Sequence, residues 1–228
     1  MTIKHRKNMA EHKVYFISGM DTDCGKTYIT ARLAAHLNAI GIKTITQKPV
    51  QTGCADVSED IEEHRKVMGT GWLPEDKEGR TCTYLFRMPA SPLLAAKREN
   101  RTIDTQKIAA DTQYLASRYD RVLVEGAGGL MVPMTEGMMT IDFVESQKLP
   151  LILVASSRLG SINHTLLSVE ACLQRGISLH TLVYNRMPAD NRIMADDTWE
   201  TIAGYVRAKS PDTQVIDFAE CGFGGSSF

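Results

Sequence analysis

The residues able to do chemistry gather in four short glycine-containing segments. Gly19–Thr27 reads G-M-D-T-D-C-G-K-T. Backbone amides in such a loop can face phosphate oxygens, and a following helix adds about half a positive charge at its N-terminus. Lys26 can reach terminal phosphates, and the Thr27 hydroxyl suits a magnesium ion. Five residues separate Gly19 from Gly25, one more than the usual four. Lys48, in Q47-K-P-V-Q-T-G53, is a cation able to stabilise charge developing on a transferred group. Glu125 opens E-G-A-G-G129, where glycines leave room for phosphate and a carboxylate suits magnesium. Gly160, Ser161, Ile162 and Asn163 begin an amphipathic stretch whose first amides could hold an anion.

These segments need a scaffold that brings them to one edge. Short apolar runs alternate with helical patterns. Strands are expected at 14–18, 42–50, 121–125, 150–155, 181–184 and 213–218. Helices are expected at 27–40, 59–68, 91–99, 104–118, 161–175 and 191–208, with Asp104 as an N-cap and 69–81 as a loop. The pattern predicts an α/β fold: a mostly parallel sheet with helices on both faces. Ligands of such sheets sit at the carboxyl ends of strands, where all four segments fall. Residues 14–218 read as one domain, with flexible tails at 1–13 and 219–228.

Composition narrows the function. The 228 residues carry a net charge of −1, which offers no basic excess for nucleic acid. No apolar run reaches the ~18 residues of a membrane span. Five scattered cysteines without a C-x-x-C pair fit reduced thiols in a cytoplasm rather than a zinc or redox site. Cys24, beside Lys26 and a helix N-terminus, is a candidate reactive thiol, with a small buried side chain as the alternative. The six histidines lack the spacing of a metal pair, and the methionines at 131, 134, 138 and 139 read as core or interface filler.

Taken in order, G19-M-D-T-D-C-G-K-T, Q47-K-P-V-Q-T-G53, V124-E-G-A-G-G129 and L159-G-S-I-N-H-T165 resemble the dethiobiotin synthetases, a family of the P-loop superfamily, from about residue 14 to Asn185. The resemblance implies an ATP-dependent ligase of biotin biosynthesis. It would form the ureido ring of dethiobiotin from diaminopelargonic acid and carbon dioxide, through a carbamate that ATP phosphorylates. It makes Lys48 the active-site lysine. It assigns the nucleotide to Asp23, Cys24, Gly25, Lys26, Thr27, Tyr28, Asp60, Glu125, Gly126, Ala127, Gly128 and Asn185. Asn185 would read the adenine edge, and Thr27, Asp60 and Glu125 would hold Mg2+. Glu59 and Glu62 neighbour Asp60 as alternative acids. Thr52 and Gly160–Asn163 would meet the substrate, the latter across a homodimer interface. The family's Gly-x-x-Pro stretch is absent from V215-I-D-F-A-E-C-G. The alternative is a nucleotide switch like the partition and cell-division ATPases ParA and MinD. Those carry a second lysine five residues before the loop lysine, where this chain has Asp21.

Overall fold

Strands rich in Val, Ile and Leu on both faces are stable only between two covering layers. The computed structural model of the chain describes residues 12–187, 191–218 and 223. Its elements in order are β1 (Val14–Gly19), α1 (Lys26–Ala39), β2 (Thr44–Gln47), β3 (Val50–Thr52), α2 (Glu59–Met68), α3 (Pro74–Lys77), β4 (Tyr84–Phe86), α4 (Pro92–Arg98), α5 (Thr105–Arg118), β5 (Arg121–Gly129), β6 (Pro133–Thr135), β7 (Met138–Met139), α6 (Thr140–Ser146), β8 (Leu151–Ser156), α7 (Ser161–Gln174), β9 (Leu179–Asn185), α8 (Arg192–Lys209) and β10 (Gln214–Asp217). Six strands form a parallel sheet in the order β10-β9-β8-β1-β5-β2. β8 and β9 are buried at every position, as a sheet covered on both faces requires.

β1 lies between β5 and β8, with Ile17 opposite both Glu125 and Ile152. The chain leaves β1 for β2, beyond β5, and leaves β5 for β8 on the other side of β1. The crevice at this change of direction is where α/β sheets bind ligands.

Three expectations change in detail. The strand expected at 42–50 is two strands, β2 and β3, in different sheets. Pro49 has no amide hydrogen for a ladder, and the Lys48 amide donates instead to the Thr81 carbonyl at 2.7 Å. β3 then pairs in parallel with β4, which short apolar runs in the sequence left unassigned. The loop expected at 69–81 contains α3, begun by Pro74 at a position where its missing N–H costs nothing. The strand expected at 121–125 continues to Gly129. The β6–β7 hairpin and α6 were also unassigned; their runs are too short to show a period.

Charged α2 forms as expected because its ends are complete. Ser58 Oγ accepts from the Ile61 amide at 3.2 Å, acids occupy the first turn, Arg65 and Lys66 occupy the last, and left-handed Gly69 stops it. Asp104 caps α5 by accepting from the Gln106 amide at 2.8 Å. Of the four methionines, Met134 is buried, Met138 and Met139 pack against the core, and Met131 is exposed. Most of both expected tails lies outside the described residues. Within them, the Lys13 carbonyl accepts from Val122, and Phe223 is buried with its ring 4.9 Å from that of Phe218.

Candidate active site

The ends of β1, β2 and β5, with α2 above them, line a cleft of about 610 Å3. Its walls include Asp23, Gly25, Lys26, Thr27 and Tyr28 from the loop and α1. Lys48 and Thr52, Asp60, and Glu125, Ala127 and Gly128 complete this part of the lining. The loop bends through left-handed backbone at Asp23 (φ 55°) and Gly25 (φ 92°). Such bends turn successive amides toward one concave side, which favours an anion. Lys26 Nζ donates to the Asp21 carbonyl at 2.9 Å and stays over the loop.

Gly25 is required twice. Its positive φ disfavours a side chain by roughly 1–2 kcal/mol. A Cβ there would also lie 2.2 Å from Asn185 Nδ2, which donates to the Cys24 carbonyl at 3.1 Å. Gly25→Ala is therefore expected to weaken ATP binding by at least about tenfold, equivalent to ~1.4 kcal/mol. Calorimetric titration checks this, and wild-type affinity in the variant would show that the loop does not need this bend.

Four side chains converge beyond the loop. Lys48 Nζ lies 2.6 Å from Asp60 Oδ2, 2.9 Å from Glu125 Oε1 and 3.1 Å from the Gly126 carbonyl. All three ammonium donors are thereby used. The Thr27 hydroxyl is 3.0 Å from both Asp60 Oδ1 and Glu125 Oε1. Burial acts to lower the Lys48 pKa, but the two carboxylates outweigh it and hold the pKa above the ordinary lysine value. Burial likewise acts to raise Glu125, but Lys48 and the hydrogen bond from His64 hold its carboxyl well below the usual range. The cluster is a set of fixed charges. Asp60, rather than Glu59 or Glu62, is the acid of α2 that reaches Thr27 and Lys48.

His64 was passed over in the sequence. It is fully buried, and its Nε2 lies 2.9 Å from Glu125 Oε2. The signal was there: His64 follows Asp60 by four residues, so both project from one face of α2.

The other candidates are placed as follows. Cys24 is fully buried, with its Sγ close to Gly19, so a reagent reaches it only if the loop opens; the small buried side chain is what the structure contains. Cys24, Cys54, Cys82 and Cys172 are free thiols. Thr52 ends β3 at the cleft wall. Gly160–Asn163 begin α7 outside the residues that line the cleft. Left-handed Gly160 precedes buried Ser161, whose Oγ donates to the Ser156 carbonyl, while Asn163 is exposed. A clasp links this helix start to the loop: Asp21 pairs with Arg158 and lies 3.3 Å from His164 Nδ1. In place of the absent Gly-x-x-Pro stretch, Val215–Asp217 continue β10, and Phe218 sets its ring edge-on to Tyr28 at 5.9 Å.

A family model described as an AAA domain matches residues 13–211. The chain is 46% identical to the ATP-dependent dethiobiotin synthetase BioD 2 of Pasteurella multocida, over 90% of this chain and 97% of that protein. It is 53% identical to the ATP-dependent dethiobiotin synthetase BioD 2 of Haemophilus influenzae, over 77% and 92%. It is 48% identical to the ATP-dependent dethiobiotin synthetase BioD of Chlorobaculum tepidum, over 95% and 91%. Among solved structures, a ParA family ATPase from Chlorobium tepidum TLS aligns with a TM-score of 0.51 at 18% identity, over 84% of this chain and 81% of that one. The MinC:MinD cell division complex of Aquifex aeolicus aligns at 0.53 and 14%, over 90% and 79%. At those identities the likeness to ParA and MinD is one of fold alone. These three relatives, at 46–53% identity over 77–95% of this chain, are dethiobiotin synthetases, so the chain belongs to the ATP-dependent dethiobiotin synthetases.

Proposed function

We propose that the chain closes the ureido ring of dethiobiotin from diaminopelargonic acid, carbon dioxide and ATP, as the final carbon–nitrogen bond-forming chemistry of this family requires. The observation that carries it is Lys48, held between Asp60 and Glu125 at the phosphate end of the cleft. A substrate amine attacks carbon dioxide, forms an N–C bond and loses a proton, giving a carbamate. A carbamate oxygen then attacks the γ-phosphorus of ATP, and the bond to the bridging oxygen breaks to release ADP. The second amine attacks the carbonyl carbon, phosphate leaves with its oxygen, and that nitrogen loses a proton as the ring closes.

The residues have distinct tasks. The loop amides and Lys26 hold the phosphates. Lys48 neutralises the carbamate and the charge that develops on transfer. To do so it must exchange one of its three acceptors. Asp60, with 22% of its side chain exposed, is freer to turn than fully buried Glu125. Thr27, Asp60 and Glu125 fit magnesium, being oxygen donors gathered at one point. Among the described residues no three acidic, histidine or cysteine side chains form a metal site by themselves, so this set suits an ion that arrives with nucleotide phosphates. Magnesium supplies charge neutralisation of those phosphates. Thr52 would contact substrate, and Asn185 the base.

The substrate carboxylate would meet Gly160–Asn163 across a homodimer interface. Exposed Leu159 and Leu167 at this end of α7 support a second copy here, being 86% and 62% accessible. Free thiols support a cytoplasmic setting, and no helix among the described residues is long and apolar enough to cross a membrane.

The test is incubation with ATP, magnesium, bicarbonate and diaminopelargonate. Dethiobiotin and phosphate should appear in equal amounts. Absence of dethiobiotin, with ATP hydrolysis stimulated by DNA or lipid, would instead assign the chain to the ParA or MinD type of switch.

A further inference from the structure

We propose that His64 is a positioning residue for the divalent metal: it holds Glu125 so that one chosen oxygen, Oε1, faces Thr27 and Lys48. The proposal rests on the reading of Glu125 as a metal-site carboxylate. Glu125 is fully buried and its two oxygens have separate partners. Oε1 lies 3.0 Å from the Thr27 hydroxyl and 2.9 Å from Lys48 Nζ. Oε2 lies 2.9 Å from His64 Nε2. An ionised carboxylate only accepts, so the hydrogen of this bond is on His64 Nε2. His64 Nδ1 has no hydrogen-bond partner among the described residues, so the ring's polar interaction there is the one it makes with Glu125.

The backbone explains why the contact is rigid. Asp60 and His64 are one helical turn apart on α2, and that helix is fixed at its start by Ser58. Ser58 Oγ accepts from Ile61 and donates to Gln51 Oε1 at 2.7 Å. One helix face therefore delivers both the Asp60 carboxylate and the group that orients Glu125. With Oε2 engaged by an N–H, Glu125 is set to bind a metal through Oε1 alone. A carboxylate without that restraint could rotate or bind through both oxygens. Hydrogen bonds to ligating side chains commonly change metal affinity by about 10–100-fold.

The experiment is a titration of Mn2+ into the enzyme with a non-hydrolysable ATP analogue, read by electron paramagnetic resonance of the free ion. His64→Leu should raise the Mn2+ dissociation constant by about 10–100-fold, with affinity for the analogue in the absence of metal unchanged. His64→Gln, whose amide can take the place of Nε2–H, should stay within about threefold of wild type, well below that range. In turnover, His64→Leu should raise the magnesium concentration needed for half-maximal rate, while the rate at saturating magnesium returns toward wild type. Wild-type Mn2+ affinity in His64→Leu, or equal weakening in His64→Gln, would overturn the proposal. Should His64→Leu not fold, His64→Asn replaces it: its shorter amide falls short of Oε2, so it should weaken Mn2+ where His64→Gln does not, and equal behaviour of the two would overturn the role. Glu125→Gln separates the two levels. If it binds Mn2+ as wild type does, the metal reading itself fails. If it weakens Mn2+ while His64→Leu does not, only the role of His64 fails.

Discussion

Lys48→Met is expected to lower turnover by about 10²–10³-fold, the usual loss when one preorganised charge at a transition state is removed. ATP with magnesium still binds, because the loop amides, Lys26 and Thr27 are untouched. Met keeps much of the volume of the lysine stem and removes the ammonium that meets Asp60 Oδ2, Glu125 Oε1 and the Gly126 carbonyl. The variant has a second signature. Without Lys48, the two carboxylates lose the cation between them, and a divalent ion no longer competes with it. Metal binding in the absence of nucleotide should become stronger in Lys48→Met while catalysis collapses. Single-turnover dethiobiotin formation and calorimetric titrations of ATP and of Mn2+ check the three parts. Parallel loss of ATP affinity would mean that Lys48 serves the nucleotide rather than the carbamate.

The largest expected loss of stability belongs to Arg65→Leu, at about 3–5 kcal/mol. Arg65 is 2% exposed and grips Asp76 with two parallel bonds, Nε to Oδ2 at 2.9 Å and Nη2 to Oδ1 at 2.8 Å. Its Nη1 also donates to Thr46 Oγ1 at 2.8 Å, which ties α2 to β2. Asp76 further accepts from Thr81 Oγ1 at 2.6 Å and from the Leu73 amide at 2.7 Å. Leucine leaves this carboxylate buried without its cation. At roughly 2–4 °C per kcal/mol for a chain of this size, the melting temperature should fall by about 6–20 °C. Replacing Asp76 as well, by Leu, should restore part of the loss, since a buried pair exchanged for apolar packing often costs little.

The pH dependence has a definite sign. Burial acts to raise the Asp76 carboxyl, but Arg65, Thr81 and the Leu73 amide together hold it below the ordinary aspartate value. A folded pKa below the unfolded one contributes stability that is present above the ordinary carboxylate range and is lost as pH falls through the folded value. In Arg65→Leu the contributions of Arg65 to this depression are gone, while those of Thr81 and the Leu73 amide remain against burial. The deficit relative to wild type should therefore be largest near neutrality and shrink as pH drops below about 4. A deficit that grows on acidification would contradict this account of Asp76.

What the sequence made legible follows the distance over which each interaction acts. The phosphate loop and the Asp104 cap of α5 are local, so their residue types announce them. α1, α2, α5 and the six strands of the main sheet have enough length to show a period. β3, β4, β6 and β7 span only two or three residues each and carry no period. The break at Lys48–Pro49 matters most for the site. It takes Lys48 out of a regular strand and sends Thr52 to a second small sheet, where it still borders the cleft. Asp60 could not be separated from Glu59 and Glu62 by residue type, because the choice depends on which helix face meets Thr27. The four-residue spacing puts His64 on the face of Asp60, but its partner Glu125 is 61 positions away, so the contact itself is not legible in the sequence.

The order of strands also bears on how the chain acquires its shape during synthesis. β1 is made before both of its neighbours, β5, ending at Gly129, and β8, ending at Ser156. A nascent chain that has not yet reached residue 121 can form α1 and α2, but it has neither partner for β1. Long-range parallel pairing of this kind forms slowly, because loop closure precedes the contacts that offset it. Until that closure, the loop after β1 that leads to Lys26 and the end of β2 beside Lys48 are not held together, since β5 is what joins β1 to β2. The charged cluster around Lys48 and the sheet should thus appear in one kinetic event, and a chain released before β5 emerges should have no vestige of either.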